Sequence, residues 1–454
     1  MRFSPSRGAA FVALLLIILI YGCDAGHGFV KDDFGWVVTS RLQQPSDLQN
    51  LLGAPTGFFR PLVSLSFAID YALFGAAPRG YGLTNLALLL ACIGMLAALF
   101  RAIGLRTGVA VAAALVWALN FHGINMAVLW ISGRTALIVT FWSVAAAWAW
   151  TRGHRVWAAS FAMAAMWSKE EGFMVAAILT AWTIIDRRPV RETWLLWAVT
   201  ATTLAVRAWS GAFTPGTAPP IYQYQVSVTT LANNIIQYAD RSATTAAGTL
   251  LVFWIAAGLP RGRTPEQVAP DLKVGPTYER WLKGFVWIVL GFAPTIFLPI
   301  RSSLYALLPS VGIVLIAGDL ANRIVDRAPL RAIARATTIV LLLLVALVPV
   351  YRLRNQRYVS EAKLSAAIAA EVSKIAATAP AGGLILIKDV RDGRPTAEQA
   401  FGPVAGRMAE LVTDGKLQVW IDPAPVELAG VAPPPLSSAV ATLVVEHGIV
   451  RVAR

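Results

Sequence analysis

The sequence predicts an all-α polytopic membrane protein of about eleven transmembrane helices, followed by a small C-terminal α/β soluble domain. The 454 residues are 57% hydrophobic and only 14% charged, with a mean hydropathy of +0.61. Soluble domains average about 25% charged residues. Apolar runs of roughly 15 to 20 residues recur through the first three quarters of the chain, and a backbone in lipid must satisfy its own hydrogen bonds as a helix. From about residue 352, short β-like runs alternate with amphipathic helical patterns.

The predicted spans follow the apolar runs. The first run is interpreted as an uncleaved helix, because no clear small-residue cleavage site follows it and Cys23 lies in only a loose lipoprotein box. The predicted spans lie near residues 9–22, 83–100, 108–121, 134–150, 156–168, 172–185, 193–209, 243–259, 284–299, 303–319 and 336–350.

Basic residues are concentrated in alternate loops, which indicates a cytoplasmic N-terminus. This topology puts the first long loop and the C-terminal domain on the outer side. It also accounts for most of the net charge of +14, so no nucleic-acid partner is expected. The inner loops carry Arg101, Arg106, Arg152, Arg155, Arg187, Arg188, Arg191, Arg261, Arg263, Lys273, Arg280, Lys283, Arg323, Arg327, Arg331 and Arg335.

The first outer loop, residues 23–82, carries the adjacent acids Asp32 and Asp33. Two carboxylates so close repel each other, and one then holds its proton more tightly, which makes the pair a candidate general base. The alternative is a solvated loop without a function. Further along, Pro61 begins a helical pattern that extends to Phe74. This pattern predicts a helix on the bilayer surface or, equally well, one that packs on neighbouring helices.

The chain divides into a transmembrane domain, residues 1–351, and an extracytoplasmic domain, residues 352–454. In the second, helical patterns at 358–378 and 397–412 alternate with strand-like runs at 383–388, 417–421 and 442–445. No catalytic motif is visible there. The two cysteines, Cys23 and Cys92, form neither a disulfide framework nor a metal-type spacing.

Polar side chains gather at the outer ends of the predicted helices, where charges cost free energy unless they pair or serve a site. Lys169, Glu170 and Glu171 occupy a tight hairpin between two apolar runs, which favours a function. Arginine binds phosphate through a planar fork of donors, and an aspartate can remove a proton from a hydroxyl. This face therefore fits group transfer from a lipid phosphate to an acceptor. The candidate substrate-binding residues are Arg60, His122, Arg134, Lys169, Glu170, Arg301 and Tyr305.

An ordered set of motifs resembles the GT-C superfamily of membrane glycosyltransferases, which use polyprenyl-phosphate sugars. The likeness is greatest to the protein O-mannosyltransferase-like family that often carries TPR repeats, and to its bacterial relatives, although no 34-residue repeat is visible after residue 352. The matching segments span about the first 310 residues: Phe29-Val30-Lys31-Asp32-Asp33-Phe34, Phe59-Arg60-Pro61-Leu62, Asp70-Tyr71-Ala72-Leu73-Phe74-Gly75, Gly80-Tyr81-Gly82-Leu83-Thr84-Asn85, Ser132-Gly133-Arg134, Ser168-Lys169-Glu170 and Arg301-Ser302-Ser303-Leu304-Tyr305-Ala306-Leu307-Leu308-Pro309.

The resemblance implies a catalytic aspartate in the first outer loop, which by position is Asp32, with Asp33 second. It also implies that Glu170 is a site acid and that Arg134 and Arg301 face the donor phosphate. The implied reaction moves a hexose or pentose from a polyprenyl-phosphate donor to a protein, glycan or lipid on the outer face. The outer face is the periplasm, the cell exterior or a lumen, and the alanine- and arginine-rich composition favours a bacterial inner membrane.

Two other classes of function stay open. A transporter or flippase of lipid-linked sugars would need ionisable groups near the bilayer midplane, whereas these charges gather at the outer face. A non-catalytic assembly subunit would depend on residues 352–454 rather than on the acids. Asp32, Asp33 and Glu170 offer oxygen ligands to a divalent metal, but their spacing does not predict a metal site, so no cofactor is assigned.

Overall fold

The structure is a computed structural model that describes residues 5–42, 44, 47–54, 57–214, 216–258, 277–428 and 431–453. The described chain is mostly helical, with one four-stranded sheet near its C-terminal end. Arg261, Arg263 and Lys273, which contributed to the topology prediction, lie outside the described residues.

A helix occupies each of the predicted apolar runs. Straight-chain and small apolar residues favour helices, and these segments carry few internal helix breakers. The helices on these runs are α1 (Pro5–Ile17, continued by a π-helical turn Ile18–Gly22), α5 (Pro78–Ala102), α6 (Thr107–Ala118), α8 (Arg134–Thr151), α9 (Arg155–Met166), α10 (Met174–Ile185), α11 (Trp194–Trp209), α12 (Val228–Ala257), α13 (Thr277–Phe292), α14 (Leu307–Arg327) and α15 (Leu330–Thr378). The short helix α7 (Ile124–Leu129) lies between α6 and α8.

Three segments of the described chain are long and apolar enough to cross a membrane by length and composition: Pro78–Ala102, Ser303–Arg327 and Leu330–Thr378. Shorter apolar helices include Gly8–Gly22 and Thr107–Ala118.

The first outer loop folds into three helices, α2 (Asp32–Thr39), α3 (Leu48–Leu52) and α4 (Pro61–Phe74). The helix predicted from Pro61 to Phe74 is therefore present. Its inner face buries Phe67 and Asp70, whereas its outer face exposes Leu65, Ile69 and Leu73 at intervals of four residues. One face thus packs on the protein while an apolar stripe stays uncovered, which fits a helix at a bilayer surface.

The helix α15 runs without a break through the predicted domain boundary at residues 351 and 352, although it contains Pro349. Its N-terminal part is the third long apolar segment, and its C-terminal part packs on the sheet through Leu364, Ile368 and Val372. A single rigid element therefore connects the apolar part of the chain to the C-terminal sheet.

The C-terminal sheet has the strand order β2-β1-β3-β4. The strands are β1 (Leu384–Asp389), β2 (Gln418–Asp422), β3 (Ala439–Glu446) and β4 (Ile449–Ala453). Strand β1 is parallel to both β2 and β3, and β4 is antiparallel to β3. All three predicted strands are present, and the sequence pattern missed β4. The predicted helix at 397–412 is divided into α16 (Ala397–Phe401) and α17 (Ala405–Thr413).

The first outer loop and the C-terminal domain share one hydrophobic core. Phe34 of α2 packs against Phe401 of α16, with ring centroids 5.6 Å apart. Trp36 of α2 stacks on Phe67 of α4 at 5.8 Å. The backbone N–H of Lys31 donates to the carbonyl oxygen of Ala400 at 2.9 Å. The start of α2 is therefore held from both sides.

Candidate functional site

The acidic pair lies in the first turn of α2, directly after Lys31. Lys31 has φ 49° and ψ −123°, a backbone conformation that is uncommon for a residue with a side chain. Such strain persists only where the surroundings enforce it. The hydrogen bond to Ala400 and the packing of Phe34 provide this enforcement.

Asp33 is fully buried and its carboxylate is saturated with donors. One oxygen accepts the backbone N–H of Val30 at 2.8 Å, and the other accepts the backbone N–H of Ser132 at 2.7 Å and the Ser132 hydroxyl. Burial outweighs these hydrogen bonds and raises the pKa of Asp33 to about 7. Asp33 therefore joins α2 to the turn that precedes α8 and offers no open face to a substrate.

Asp32, one residue earlier, is exposed and lines a cavity of about 540 Å³. The surrounding protein removes much of its bulk hydration and raises the pKa of Asp32, while Arg60 and Lys31 oppose this rise. The remaining lining of this cavity, which we call the upper cavity, comes from the C-terminal domain: Arg391, Gly393, Arg394, Thr396, Glu398, Gln399, Gly402 and Pro403.

A second cavity of about 150 Å³, the lower cavity, lies between the first outer loop and the ends of several helices. It combines aromatic rings with alternating charges. Its lining residues are Phe58, Arg60, Lys169, Glu170, Glu171, Arg207, Phe213, Thr214, Ala218, Tyr222, Tyr224, Pro294, Thr295, Leu298 and Tyr305.

Glu170 joins two arginines in the lower cavity. It accepts from Arg60 at 2.6 Å and from Arg207 at 3.4 Å. Burial alone would raise the pKa of Glu170, but Arg60 and Arg207 outweigh it and lower the pKa to about 2. Glu170 thus stays ionised at neutral pH and fixes two guanidinium groups at the cavity wall.

Lys169 and Glu171 form a second, buried ion pair at 2.6 Å. The Lys169 ammonium also lies 4.8 Å from the centre of the Tyr305 ring. The hairpin that carries these residues needs Gly172, since a Cβ there would lie 2.3 Å from the Ala165 backbone. This tight turn therefore places Lys169, Glu170 and Glu171 together on one wall of the lower cavity.

Asp32 lines the upper cavity, and its carboxylate interacts electrostatically with Arg60 and Tyr222, both of which line the lower cavity. Four of the predicted site residues therefore share the lower cavity, namely Arg60, Lys169, Glu170 and Tyr305, and Asp32 lines the upper one.

Arg134, in contrast, is fully buried, and its guanidinium binds other groups of the protein. It forms an ion pair with Asp70 at 2.7 Å and donates to Asn85 at 2.9 Å and to the carbonyl oxygen of Tyr81 at 3.1 Å. Neither cavity is lined by Arg134. The guanidinium instead connects α4, α5 and α8. The contact of Arg134 with a donor phosphate stays a prediction.

His122 and Arg301 lie apart from the two cavities. His122 is half-buried, 3.8 Å from Asp240 and 3.3 Å from Arg354, and burial followed by the charge of Arg354 lowers its pKa. Arg301 is exposed, and its backbone carbonyl accepts from Arg241.

Two of the three acids considered as metal ligands bind groups of the protein instead. Asp33 accepts from backbone and serine donors, and Glu170 from arginines. Within the described residues, the group with mutually close ligand atoms is Asp392, Glu446 and His447, all exposed and on the C-terminal domain.

Several cavity residues were missed from the sequence. Arg207 lies near the end of the predicted span at 193–209, and a charge at the end of an apolar helix is a signal for a buried partner. Tyr222, Arg391 and Arg394 lie in loops whose composition gives no functional signal, and only the fold brings them near Asp32.

No protein-family model matches the chain, and no curated protein matches it. Among solved structures, it is similar to the crystal structure of ArnT from Cupriavidus metallidurans bound to undecaprenyl phosphate. The two chains are 14% identical with a TM-score of 0.49, and the match covers 91% of this chain and 86% of that chain. A similarity at this identity and TM-score supports no inference about the residues or the activity of this protein.

Proposed function

We propose that this protein is a membrane glycosyltransferase that moves a sugar from a polyprenyl-phosphate donor to a hydroxyl of an outer-face acceptor, with Asp32 as the general base. The observation that carries the proposal is Asp32, an exposed carboxylate on the wall of a polar cavity, which has no basic ion-pair partner among the described residues and interacts electrostatically with Arg60 of the aromatic, cationic lower cavity.

The lower cavity suits the donor. Arg60, Lys169 and Arg207 supply cations for a phosphate, and because two glutamates balance only part of this charge, one positive charge is left over. Its aromatic walls, including Tyr222 and Tyr305, suit a sugar ring and the first part of an apolar chain.

Asp32 rather than Asp33 suits the role of base. A base must reach the proton that it removes, and only Asp32 is accessible. Its raised pKa strengthens it as a proton acceptor. Asp33 is a positioning residue, because it fixes α2 to the turn at Ser132.

The proposed reaction is a single displacement at the anomeric carbon of the sugar. The acceptor oxygen attacks the anomeric carbon as its proton passes to Asp32. The bond from that carbon to the phosphate oxygen breaks, and its electron pair leaves with the polyprenyl phosphate. Arg60 and Arg207 stabilise the charge that develops on the departing phosphate.

The test is transfer by purified protein from radiolabelled polyprenyl-phosphate sugars to a membrane extract. We expect Asp32→Asn to lower the rate at least about 100-fold, since a positioned base contributes about 10² to 10⁴. Glu410→Gln is the matched control and should transfer normally, because Glu410 pairs with Arg407 of the same helix and lines neither cavity.

Normal transfer by Asp32→Asn would remove Asp32 as the base. Absence of transfer by the wild type with every donor would overturn the enzyme assignment, and vesicle uptake of lipid-linked sugars would then test the transporter class.

A further inference from the structure

The upper cavity carries polar side chains besides Asp32, and these have no role in the proposed base catalysis. Of its basic side chains, Arg391 is paired with Glu398 at 3.1 Å, and Lys31 lies 3.9 Å from Glu361. Arg394 is exposed and has no acidic partner in the described part of the chain. One guanidinium is therefore available on the cavity wall.

A second donor lies on the same wall. The side-chain oxygen of Gln399 accepts the backbone N–H of Thr396 at 3.2 Å, which fixes the amide. Its NH₂ end makes no hydrogen bond with any described residue. A fixed amide donor and a free guanidinium on one cavity wall form a set that suits an anionic oxygen group.

Two acids line this cavity: Glu398 is paired with Arg391, whereas Asp32, from α2, has no basic ion-pair partner among the described residues. The cavity therefore presents donors at its C-terminal-domain wall and a proton acceptor at its α2 wall. A molecule that carries a hydroxyl and a separate anion would satisfy both walls together.

We propose that the upper cavity binds the acceptor, and that the acceptor carries a phosphate or carboxylate group held by Arg394 and Gln399 while its hydroxyl faces Asp32. This inference rests on the proposed function for the role of the hydroxyl. The binding of the anion can be measured without any donor.

The experiment is calorimetric titration of the full-length protein in detergent with glycerol 3-phosphate, beside glycerol as the neutral analogue. We expect the phosphate alone to bind. Arg394→Gln should weaken binding about tenfold or more, as expected for loss of a charge-assisted hydrogen bond, and Arg394→Lys should retain part of it. Gln399→Glu, which keeps an oxygen for Thr396 but replaces the donor by a negative charge, should also weaken binding.

The matched control is Arg407→Gln, because Arg407 lies on the same domain, outside the cavity lining, and pairs with Glu410 at 2.7 Å. A second titration uses phosphatidic acid in phosphatidylcholine nanodiscs, with diacylglycerol as its neutral analogue. Selective binding of the lipid would assign the anion to a lipid headgroup, and selective binding of glycerol 3-phosphate would assign it to a soluble acceptor.

Failure of the wild type to bind either phosphate would overturn the inference, as would equal binding by Arg394→Gln. If the wild type transfers sugar but Arg394 has no effect on phosphate binding, only this inference fails. If phosphate binds through Arg394 but no donor is used, the anion site stands and the glycosyltransferase proposal fails.

Discussion

Adjacent residues of one helix have opposite environments in this protein. Successive residues of an α-helix are rotated by about 100°, so neighbouring side chains cannot share a face. In α2, this rotation turns Asp33 inward to Ser132 and leaves Asp32 at the cavity surface. Asp32 is therefore accessible to a substrate, whereas Asp33 holds α2 in place.

The pKa of Asp33 predicts a pH dependence of stability. Because burial raises the pKa to about 7, the folded protein binds more protons than the unfolded chain between pH ~4 and ~7. The stabilisation that Asp33 contributes should therefore be greatest at low pH. It should decrease as the pH rises through about 7, and it should not change further above that pH.

The measurement is the thermal midpoint of wild type minus that of Asp33→Asn, in detergent, from pH 5 to 8. The control Val426→Ala removes an exposed side chain that does not titrate, so its difference should not vary with pH. A flat difference for Asp33→Asn would contradict the pKa assigned to Asp33.

Three helices are joined by one buried ion pair. Arg134 begins α8, Asp70 lies in α4, and Thr84 of α5 donates its hydroxyl to Asp70 at 2.7 Å. Removal of one partner leaves an uncompensated buried charge, whereas removal of both does not.

We therefore expect Arg134→Met to destabilise the protein by about 3–5 kcal/mol, and the double variant with Asp70→Asn to recover part of that loss. Chemical or thermal unfolding of all variants in detergent gives the coupling free energy of the pair. Lys374→Met removes an exposed pair with Glu371 and should cost less than about 1 kcal/mol. Additive losses in the cycle would show that Arg134 and Asp70 act independently.

At the scale of the whole molecule, the C-terminal domain is part of the site rather than an appendage. Its sheet packs on α15, its Phe401 packs on Phe34, and its loops complete the upper cavity. The strained conformation at Lys31 depends on the same contact through Ala400.

Phe401→Ala should therefore affect both stability and transfer. Truncation of a buried phenylalanine costs about 3–5 kcal/mol, and the position of Asp32 should loosen with it. Limited proteolysis and the transfer assay measure the two effects. Val426→Ala removes an exposed side chain of the same domain and should change neither. Unchanged transfer by a destabilised Phe401→Ala variant would show that the packing of the C-terminal domain does not position Asp32.

The sequence by itself determined the positions of the long apolar helices, of the helix from Pro61 to Phe74 and of three of the four strands, whereas it predicted neither α2 nor α3. Apolar runs, alternating patterns and breakers act locally, so they can be recognised without knowledge of the fold.

Only the tertiary structure decided which acid is accessible and that Arg134 is an internal partner of Asp70. It also decided that Arg394 lines the same cavity as Asp32, and that Arg207 and Tyr222 line the lower cavity. Burial and ion pairing depend on residues far apart in sequence. The Glu170 pair with Arg60 spans 110 positions. A charge that is expected to bind a substrate and one that pairs internally have the same sequence pattern, and they differ only in what the folded chain brings beside them.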